Sequence, residues 1–250
     1  MNTMFACLPC YNEEENIVPL VEGWLAQEDQ LQHRGYRLKV VAIDDKSTDA
    51  TLEKMQALAA EHPQVTVVAH PENRNLGGGL NTAVDYVLEH GGPGDVMAVM
   101  DGDNTHDPCY VHAMLDKLRS ADVVIASRYQ SGAEIHGGPH HRLFLSDGAK
   151  AYYTMMLSVP KVRDYTCGYR LYKFAALQKA RQKYGSRLIT QRSFACMMEL
   201  LYKLHRCGCT FDEVPFSLRY DNKGGESKMR VLRTMKDSLK TAWLLRRDKL

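Results

Sequence analysis

Short apolar runs alternate with amphipathic stretches through the first half of the chain. Met4 to Cys10, Leu38 to Ile43, Val65 to Ala69, Val96 to Met100 and Val123 to Ala126 read as strands. Helical spacing fills the intervals: Glu13 to about Gln30, Thr48 to Glu61, about Gly79 to Glu89, and Tyr110 to Arg119. Such alternation predicts right-handed crossovers and a mainly parallel α/β sheet with helices on both faces. Ligands of open α/β sheets bind beyond the carboxyl ends of the strands, so the polar clusters there are the places to look for function.

The second half is less regular. Ser131 to Arg142 forms a Gly- and His-rich stretch, too long for a simple connection, and is expected to be a mobile functional segment. Helices are predicted over Leu143–Leu157, Lys173–Lys183 and Arg192–Arg206, and a strand over Phe211–Leu218. No linker or internal repeat interrupts the chain, which predicts one catalytic domain over 1–228 followed by a basic amphipathic helix over 229–250.

Composition narrows the field. With 250 residues, 44% hydrophobic and 25% charged, the chain is globular rather than disordered or a disulfide scaffold. Thirty-two Lys and Arg against 30 Asp and Glu leave a formal charge of +2, which argues against nucleic acid as partner. Seven scattered cysteines, with no signal-peptide pattern after Met1, predict reduced thiols in a cytoplasmic setting. The Cys7/Cys10 pair lies along a predicted strand, and Cys207/Cys209 is spaced too closely for a usual zinc knuckle. No window approaches 18 to 20 apolar residues, so no membrane span is expected.

Three polar clusters sit at successive predicted strand ends. They are Cys10 to Asn16, Asp44-Asp45-Lys46-Ser47-Thr48-Asp49, and Asp101-Gly102-Asp103. Ser47 or Thr48 could simply cap the next helix and Asp49 suit its dipole. Converging like charges are nevertheless unfavourable unless a cation or ligand offsets them. Asp101 and Asp103 are the sharpest feature, because two carboxylates with open positions suit Mg²⁺ or Mn²⁺ bridging to phosphates. The same Asp-x-Asp-x-Thr run is also similar to the nucleophile motif of haloacid-dehalogenase-type phosphatases. The acidic pair Asp44-Asp45 lies upstream, however, and no comparable pair follows, which disfavours that alternative. Gly77-Gly78-Gly79 lacks the dinucleotide fingerprint and reads as packing at a helix start.

Taken in order, the motifs resemble glycosyltransferase family 2, with its GT-A fold, a Rossmann-like mainly parallel sheet. Leu8–Glu13, Ile43–Asp49, Asn75–Leu80, Met100–Pro108, Ser127–Tyr129, Asp164–Arg170, Glu213–Pro215 and Gly225–Lys228 carry the resemblance. It is closest to the polyprenol-phosphate sugar synthases, the dolichyl-phosphate mannosyltransferase type. The resemblance implies that Pro9, Tyr11, Glu13, Ile43 and Asp45 hold the nucleoside of a sugar nucleotide. Asp101 and Asp103, with Thr105 able to join them, would bind the metal beside the diphosphate, Gly102 would line the donor, and Arg128 and Lys228 would contact phosphates. Departures from the family are Lys46 where glycine is usual and Gly102 where alanine is common. Asn222 stands where the mannose synthases usually carry arginine, a charge that Arg219 or Lys223 could supply.

The implied chemistry is metal-dependent inverting transfer of a hexose, mannose from GDP-mannose, to a polyprenyl phosphate. The alternative is a soluble hydroxyl acceptor with a different sugar nucleotide. A phosphate acceptor is already anionic, whereas a hydroxyl needs a base, for which Asp164 is the candidate. Arg142, Arg163 and Arg170, with Lys150 and Lys161 nearby, could meet an anionic acceptor, while His136, His140 and His141 belong to the predicted mobile loop. From Lys228 to Leu250 eight Lys/Arg face only Asp237 and Asp248, and Val231, Leu232, Met235, Leu239, Ala242 and Trp243 recur at helical spacing. That helix can pack on the catalytic domain or lie on an anionic bilayer. A peripheral position at the inner membrane face, or a membrane-protein partner, is the corresponding expectation.

Overall fold

A computed structural model describes residues 1–136, 140–219 and 231–250, with side chains throughout these except at 140–147, 149 and 231–235. The strand β1 (Asn2–Cys10) is buried from Met4 onward, as parallel strands covered on both faces must be. It pairs in parallel with β2 (Tyr36–Asp44), from Asn2 opposite Tyr36 to Cys10 opposite Asp44. Strand β3 (Val65–Ala69) continues the sheet beyond β2, and β4 (Val96–Val99) flanks β1 on the other side. Strand β5 (Val123–Ser127) lies further out, and β6 (Glu134–His136) begins a separate small sheet.

The main sheet has seven strands in the order β3-β2-β1-β4-β7-β5-β8. Its β7 (Arg170–Lys173) runs antiparallel to both neighbours, β4 and β5, while β8 (Phe211–Pro215) is parallel to β5. This reversed insertion was not predicted from the sequence. Four residues, two of them basic, carry too little apolar periodicity to signal a central strand, although Leu171 and Tyr172 are wholly buried. The predicted strand over Phe211–Leu218 is two strands, β8 and β9 (Ser217–Arg219), and β9 pairs in parallel with β6. Part of the predicted loop is therefore ordered as an edge strand, and Gly137 to Pro139 lie outside the described residues.

The helices match the periodicity with two instructive shifts. The single helix expected over Glu13 to Gln30 is α1 (Ile17–Leu25) and α2 (Glu28–His33). Between them Gln27 donates its backbone N–H to Trp24 and its side-chain amide to the Gly23 carbonyl, tightening the turn and ending α1. After α3 (Thr51–Glu61), α4 (Asn75–His90) begins four residues earlier than expected. A Cβ on Gly79 would stand 2.7 Å from Pro9 Cβ, so the glycine lets this helix lie directly on β1.

Helices α5 (Val111–Leu118), α6 (His140–Leu157), α7 (Phe174–Tyr184) and α8 (Ala195–Arg206) complete the layers. The last helix, α9 (Val231–Arg246), buries Ala242 and Leu245 and packs on α6 and α8. Tyr152 of α6 donates to the Leu239 carbonyl, and Arg246 donates to the carbonyls of Met155 and Met156. Of the two expectations for this helix, packing on the catalytic domain is thus the one its buried face follows.

Candidate active site

Because β1 lies between β2 and β4, residues following those three strands emerge side by side, at the roughly 5 Å spacing of neighbouring strands. The loops after β1 and β2 are clipped together. Asn12 donates its backbone N–H to Ser47 Oγ (2.9 Å) and accepts from the Thr48 N–H (2.7 Å), while Glu13 N–H reaches Thr51 Oγ1 (2.7 Å). Asp44 accepts from the Ser47 N–H, Glu14 accepts from the Ala50 N–H, and Asp49 accepts from Thr51. Much of the polar cluster therefore builds the loop. Lys46 sits at φ 63°, a left-handed conformation, which accounts for glycine being usual at this position in the family the motifs resemble.

Tyr11 is exposed and Glu13 half-buried at the rim, whereas Pro9, Gly102 and Asp45 are buried around it. Ile43 is wholly buried in the core, so the expected nucleoside contact is corrected: its side chain supports the floor and has no ligand-facing surface. Asp45 is held tightly. His70 Nδ1 (2.8 Å) and the Arg74 N–H (2.7 Å) converge on its Oδ1, and Asn73 donates to its backbone carbonyl (3.0 Å). His70, Asn73 and Arg74 were missed in the sequence. They follow β3, and the strand-end rule applied to β1, β2 and β4 would have found them.

The acidic pair follows β4. A Cβ at Gly168 would collide with the Asp101 carboxylate, and a Cβ at Gly102 would stand 2.5 Å from Cys10 Sγ. Cys10 thus occupies the space that alanine at position 102 would need. Asp103 Oδ1 accepts from the hydroxyl (2.7 Å) and N–H (3.3 Å) of Thr105. The threonine hydroxyl, named above as a possible metal ligand, is therefore bonded to the aspartate beside it. Next to it His106 is buried and stacked on Phe216, and burial pushes its imidazole down to about 4, leaving it neutral at pH 7. Two carboxylates on one short loop, with oxygen donors only, fit a hard divalent cation that takes its other ligands from water and phosphate. Among the described residues no third His, Cys, Asp or Glu converges to make a closed protein cage. Arg219 donates its backbone N–H to the Thr105 carbonyl (3.0 Å), which puts its exposed chain beside this loop.

Since β7 is antiparallel, the segment leading into it reaches the same sheet edge, between Asp101 and the end of β5. There Arg128 meets Asp164 in a bidentate pair, with Nε to Oδ2 at 2.8 Å and Nη2 to Oδ1 at 2.7 Å. Nη2 also donates to Thr166 Oγ1 (2.6 Å), and Asp164 Oδ1 accepts from the Cys167 N–H (3.0 Å). Burial would raise the Asp164 carboxyl, but Arg128 and these hydrogen bonds outweigh it and bring it down to about 2. Asp164 is therefore corrected as a general-base candidate: it is a fully buried, committed carboxylate. The Nη1 group of Arg128 has no hydrogen-bond partner among the described residues.

Arg170 is also corrected. It is wholly buried, and its guanidinium donates to the carbonyls of Cys167 (3.0 Å), Met197 (2.6 Å) and Tyr165 (2.7 Å), so it braces the 165–170 turn and meets no acceptor. Glu213, also missed as a functional support, accepts from the backbone N–H groups of Arg163 and Asp164 (2.7 and 2.8 Å) and from Gln130 (2.9 Å). Arg163 itself is exposed, and Lys150 Nζ lies 4.3 Å above the Tyr129 ring, so two cations border the Arg128 side of the site. Lys161 is exposed, and His136 pairs with Glu134. The side chains of Arg142, His140 and His141, and all of Asn222, Lys223 and Gly225 to Lys228, lie outside the described residues.

The family model described as Glycosyl transferase family 2 matches residues 5–181. An undecaprenyl-phosphate mannosyltransferase of Micrococcus luteus is 30% identical over 89% of this chain and 85% of its own. A polyprenol monophosphomannose synthase of Mycolicibacterium smegmatis is also 30% identical, over 89% of this chain and 79% of its own. Among solved structures, glucosyl-3-phosphoglycerate synthase from Mycobacterium tuberculosis, in complex with Mn²⁺, UDP and phosphoglyceric acid, superposes with a TM-score of 0.67. That match covers 98% of this chain and 78% of the other at 18% identity, and so bears on the fold alone.

Proposed function

We propose, from the premise that this chain belongs to glycosyl transferase family 2, that it moves mannose from GDP-mannose to a polyprenyl phosphate with inversion at the anomeric carbon. The names of the two mannosyltransferase relatives support the sugar and the acceptor class. The observation that carries the reading is the commitment of Asp164 to Arg128. The carboxylate that the sequence offers for base work is buried and held by both side-chain hydrogen bonds of Arg128, which makes it a poor proton acceptor and suits an acceptor whose attacking oxygen is already anionic.

In this reading Tyr11, Glu13 and Asp45 border the nucleoside, and Asp101 and Asp103 hold Mg²⁺ or Mn²⁺ with Thr105 orienting Asp103. A divalent cation there would offset the charge that builds on the departing nucleoside diphosphate. Arg128, through Nη1, and Arg219 add fixed positive charge to the same side, and Lys228 is assigned a phosphate by its motif position. Fixed cations stabilise the leaving diphosphate more as the glycosidic bond breaks than before, and that difference lowers the barrier. Arg163 and Lys150 are assigned to the acceptor phosphate.

No helix among the described residues is long and apolar enough to cross a membrane. Reaching a lipid acceptor is assigned to the outer face of α6 and α9. There Met155 and Trp243 are 66% and 39% exposed, and Arg247 stacks 4.1 Å over the Trp243 ring. An exposed Trp and Met ringed by Arg246, Arg247 and Lys249 suit a peripheral position on an anionic cytoplasmic leaflet.

The test is incubation of the purified protein with Mg²⁺ or Mn²⁺, a panel of sugar nucleotides and a short polyprenyl phosphate. GDP release and mannolipid formation that need both metal and lipid phosphate, and vanish in Asp103→Ala, are the expected result. Metal-dependent hydrolysis or transfer to a soluble hydroxyl, with no lipid product, would overturn the acceptor assignment.

A further inference from the structure

Thr82 has no place in the roles assigned above, and His70 has so far only its bond to Asp45. His70 is 5% exposed and both ring nitrogens are engaged, Nδ1 with Asp45 Oδ1 and Nε2 with Thr82 Oγ1, each at 2.8 Å. A carboxylate can only accept, so Nδ1 carries the proton, and in the neutral ring Nε2 accepts from the Thr82 hydroxyl. The arrangement depends on α4. Because Gly79 lets that helix lie against Pro9, Thr82, one turn further along, reaches the histidine. Every hydrogen bond to the Asp45 carboxylate from the described residues falls on Oδ1, from His70 and from the Arg74 N–H. The orientation of the carboxylate is thus set through Oδ1, and Oδ2 takes none of these hydrogen bonds.

We propose that His70 is a positioning residue for nucleobase selection: with Thr82 it fixes Asp45 so that Oδ2 accepts a hydrogen bond from a ring N–H of the donor's base. Guanine and uracil carry such a ring N–H, whereas neutral adenine and cytosine do not. The relay therefore selects for the first pair and against the second, since a buried acceptor left unpaired is costly. This inference rests on the reading of Asp45 as a nucleoside contact.

The experiment is calorimetric binding of GDP, UDP, ADP and CDP, with Mn²⁺, to the full chain and its variants. Asp45→Ala is expected to abolish the preference for GDP or UDP over ADP and CDP. His70→Ala should erode that preference by about tenfold, roughly the worth of one charge-assisted hydrogen bond. Thr82→Val should erode it less. His70→Asn, whose amide nitrogen can stand where Nδ1 stood, should recover most of it, and His70→Gln should not. The double variant Asp45→Ala/His70→Ala should discriminate no worse than Asp45→Ala alone, because the histidine acts through the aspartate. If Asp45→Ala loses the preference while His70→Ala and Thr82→Val keep it, the relay is packing only and the proposal is overturned. If Asp45→Ala keeps the preference, the nucleoside reading of Asp45 fails, and the proposal fails with it. Should His70→Ala not fold, the His70→Asn, His70→Gln and Thr82→Val arms still decide between these outcomes.

Discussion

Arg128 grips Asp164 through two parallel side-chain hydrogen bonds and adds its own backbone N–H to Oδ2 at 3.1 Å. One wholly buried carboxylate thereby fixes both the side chain and the backbone of the residue that follows β5. The pair has a measurable cost in acid. Asp164 lies near 2 in the folded chain against an ordinary value of 3.8, so its contribution to stability is complete above about pH 4 and is lost as the pH falls towards 2. The contribution is about 2 kcal/mol. Asp164→Asn should lose it at neutral pH, and its stability should vary less between pH 4 and 2 than the parent's. Urea melts across that range compare the two. If Asp164 were instead a working base, its loss would remove a rate limb near neutral pH and leave the acid melts alone.

Gly168 tests the other side of the same turn. A methyl group there meets the Asp101 carboxylate, so Gly168→Ala must displace the aspartate or the turn. Activity should fall at least about a hundredfold, roughly the loss that a misplacement near 1 Å brings. Far-ultraviolet circular dichroism should still show the folded chain. Retention of near-parent turnover would mean that Asp101 need not stand where it does.

Thr105 should separate holding from orienting. Its hydroxyl bonds to Asp103 Oδ1, so Thr105→Val should weaken the apparent affinity for Mg²⁺ or Mn²⁺ by about tenfold, within the range found for outer-shell partners of metal sites. Asp103→Ala should abolish metal-dependent turnover altogether. A metal titration of activity in both variants reads the difference. Equal and complete loss in both would place the threonine oxygen on the metal itself.

Arg170→Met removes the donor to three buried backbone carbonyls. The expected loss is about 3 kcal/mol of stability, the scale for stranding buried polar groups in a network. The acceptor KM measured well below the lowered melting temperature should be unchanged. A selective rise in acceptor KM without loss of stability would restore the binding role expected from the sequence.

Trp243→Ala combined with Arg247→Ala changes only the outer surface of α9. Co-sedimentation with vesicles containing phosphatidylglycerol should fall by about an order of magnitude, the weight of one interfacial aromatic and one cation. Turnover of a water-soluble short-chain acceptor should be unaffected. Unchanged sedimentation would remove this face as the membrane contact.

The strand-helix alternation and the three acidic strand ends were legible because parallel strands buried on both faces are nearly unbroken apolar runs. Met4 to Leu8 and Val40 to Ile43 announce themselves in that way. Less legible were features whose cause is distant in the chain. Arg170 looked like a ligand because it is a cation that follows the donor motifs. Only the fold shows that the carbonyls of Met197 and Tyr165 close around it. Ile43 and Asp45 are two residues apart in one motif, yet one is apolar core and the other a buried carboxylate held in a polar network, a distinction that strand alternation does not make at a strand end. The four residues of β7 were invisible because a central strand so short borrows its burial from its neighbours.

That reversed strand has a consequence for how the protein comes into being. Strands β4 and β5 leave the ribosome in succession, but they never touch, and the ribbon that joins them is made almost fifty residues after β5 begins. Until Arg170 to Lys173 has emerged, the nascent chain carries open strand edges in what will be the middle of its sheet. Open edges of that kind invite pairing with other chains. A product that stops short of this ribbon is therefore expected to be a sticky intermediate in the cell, one that chaperones must hold, and the smallest workable N-terminal fragment has to extend past Lys173.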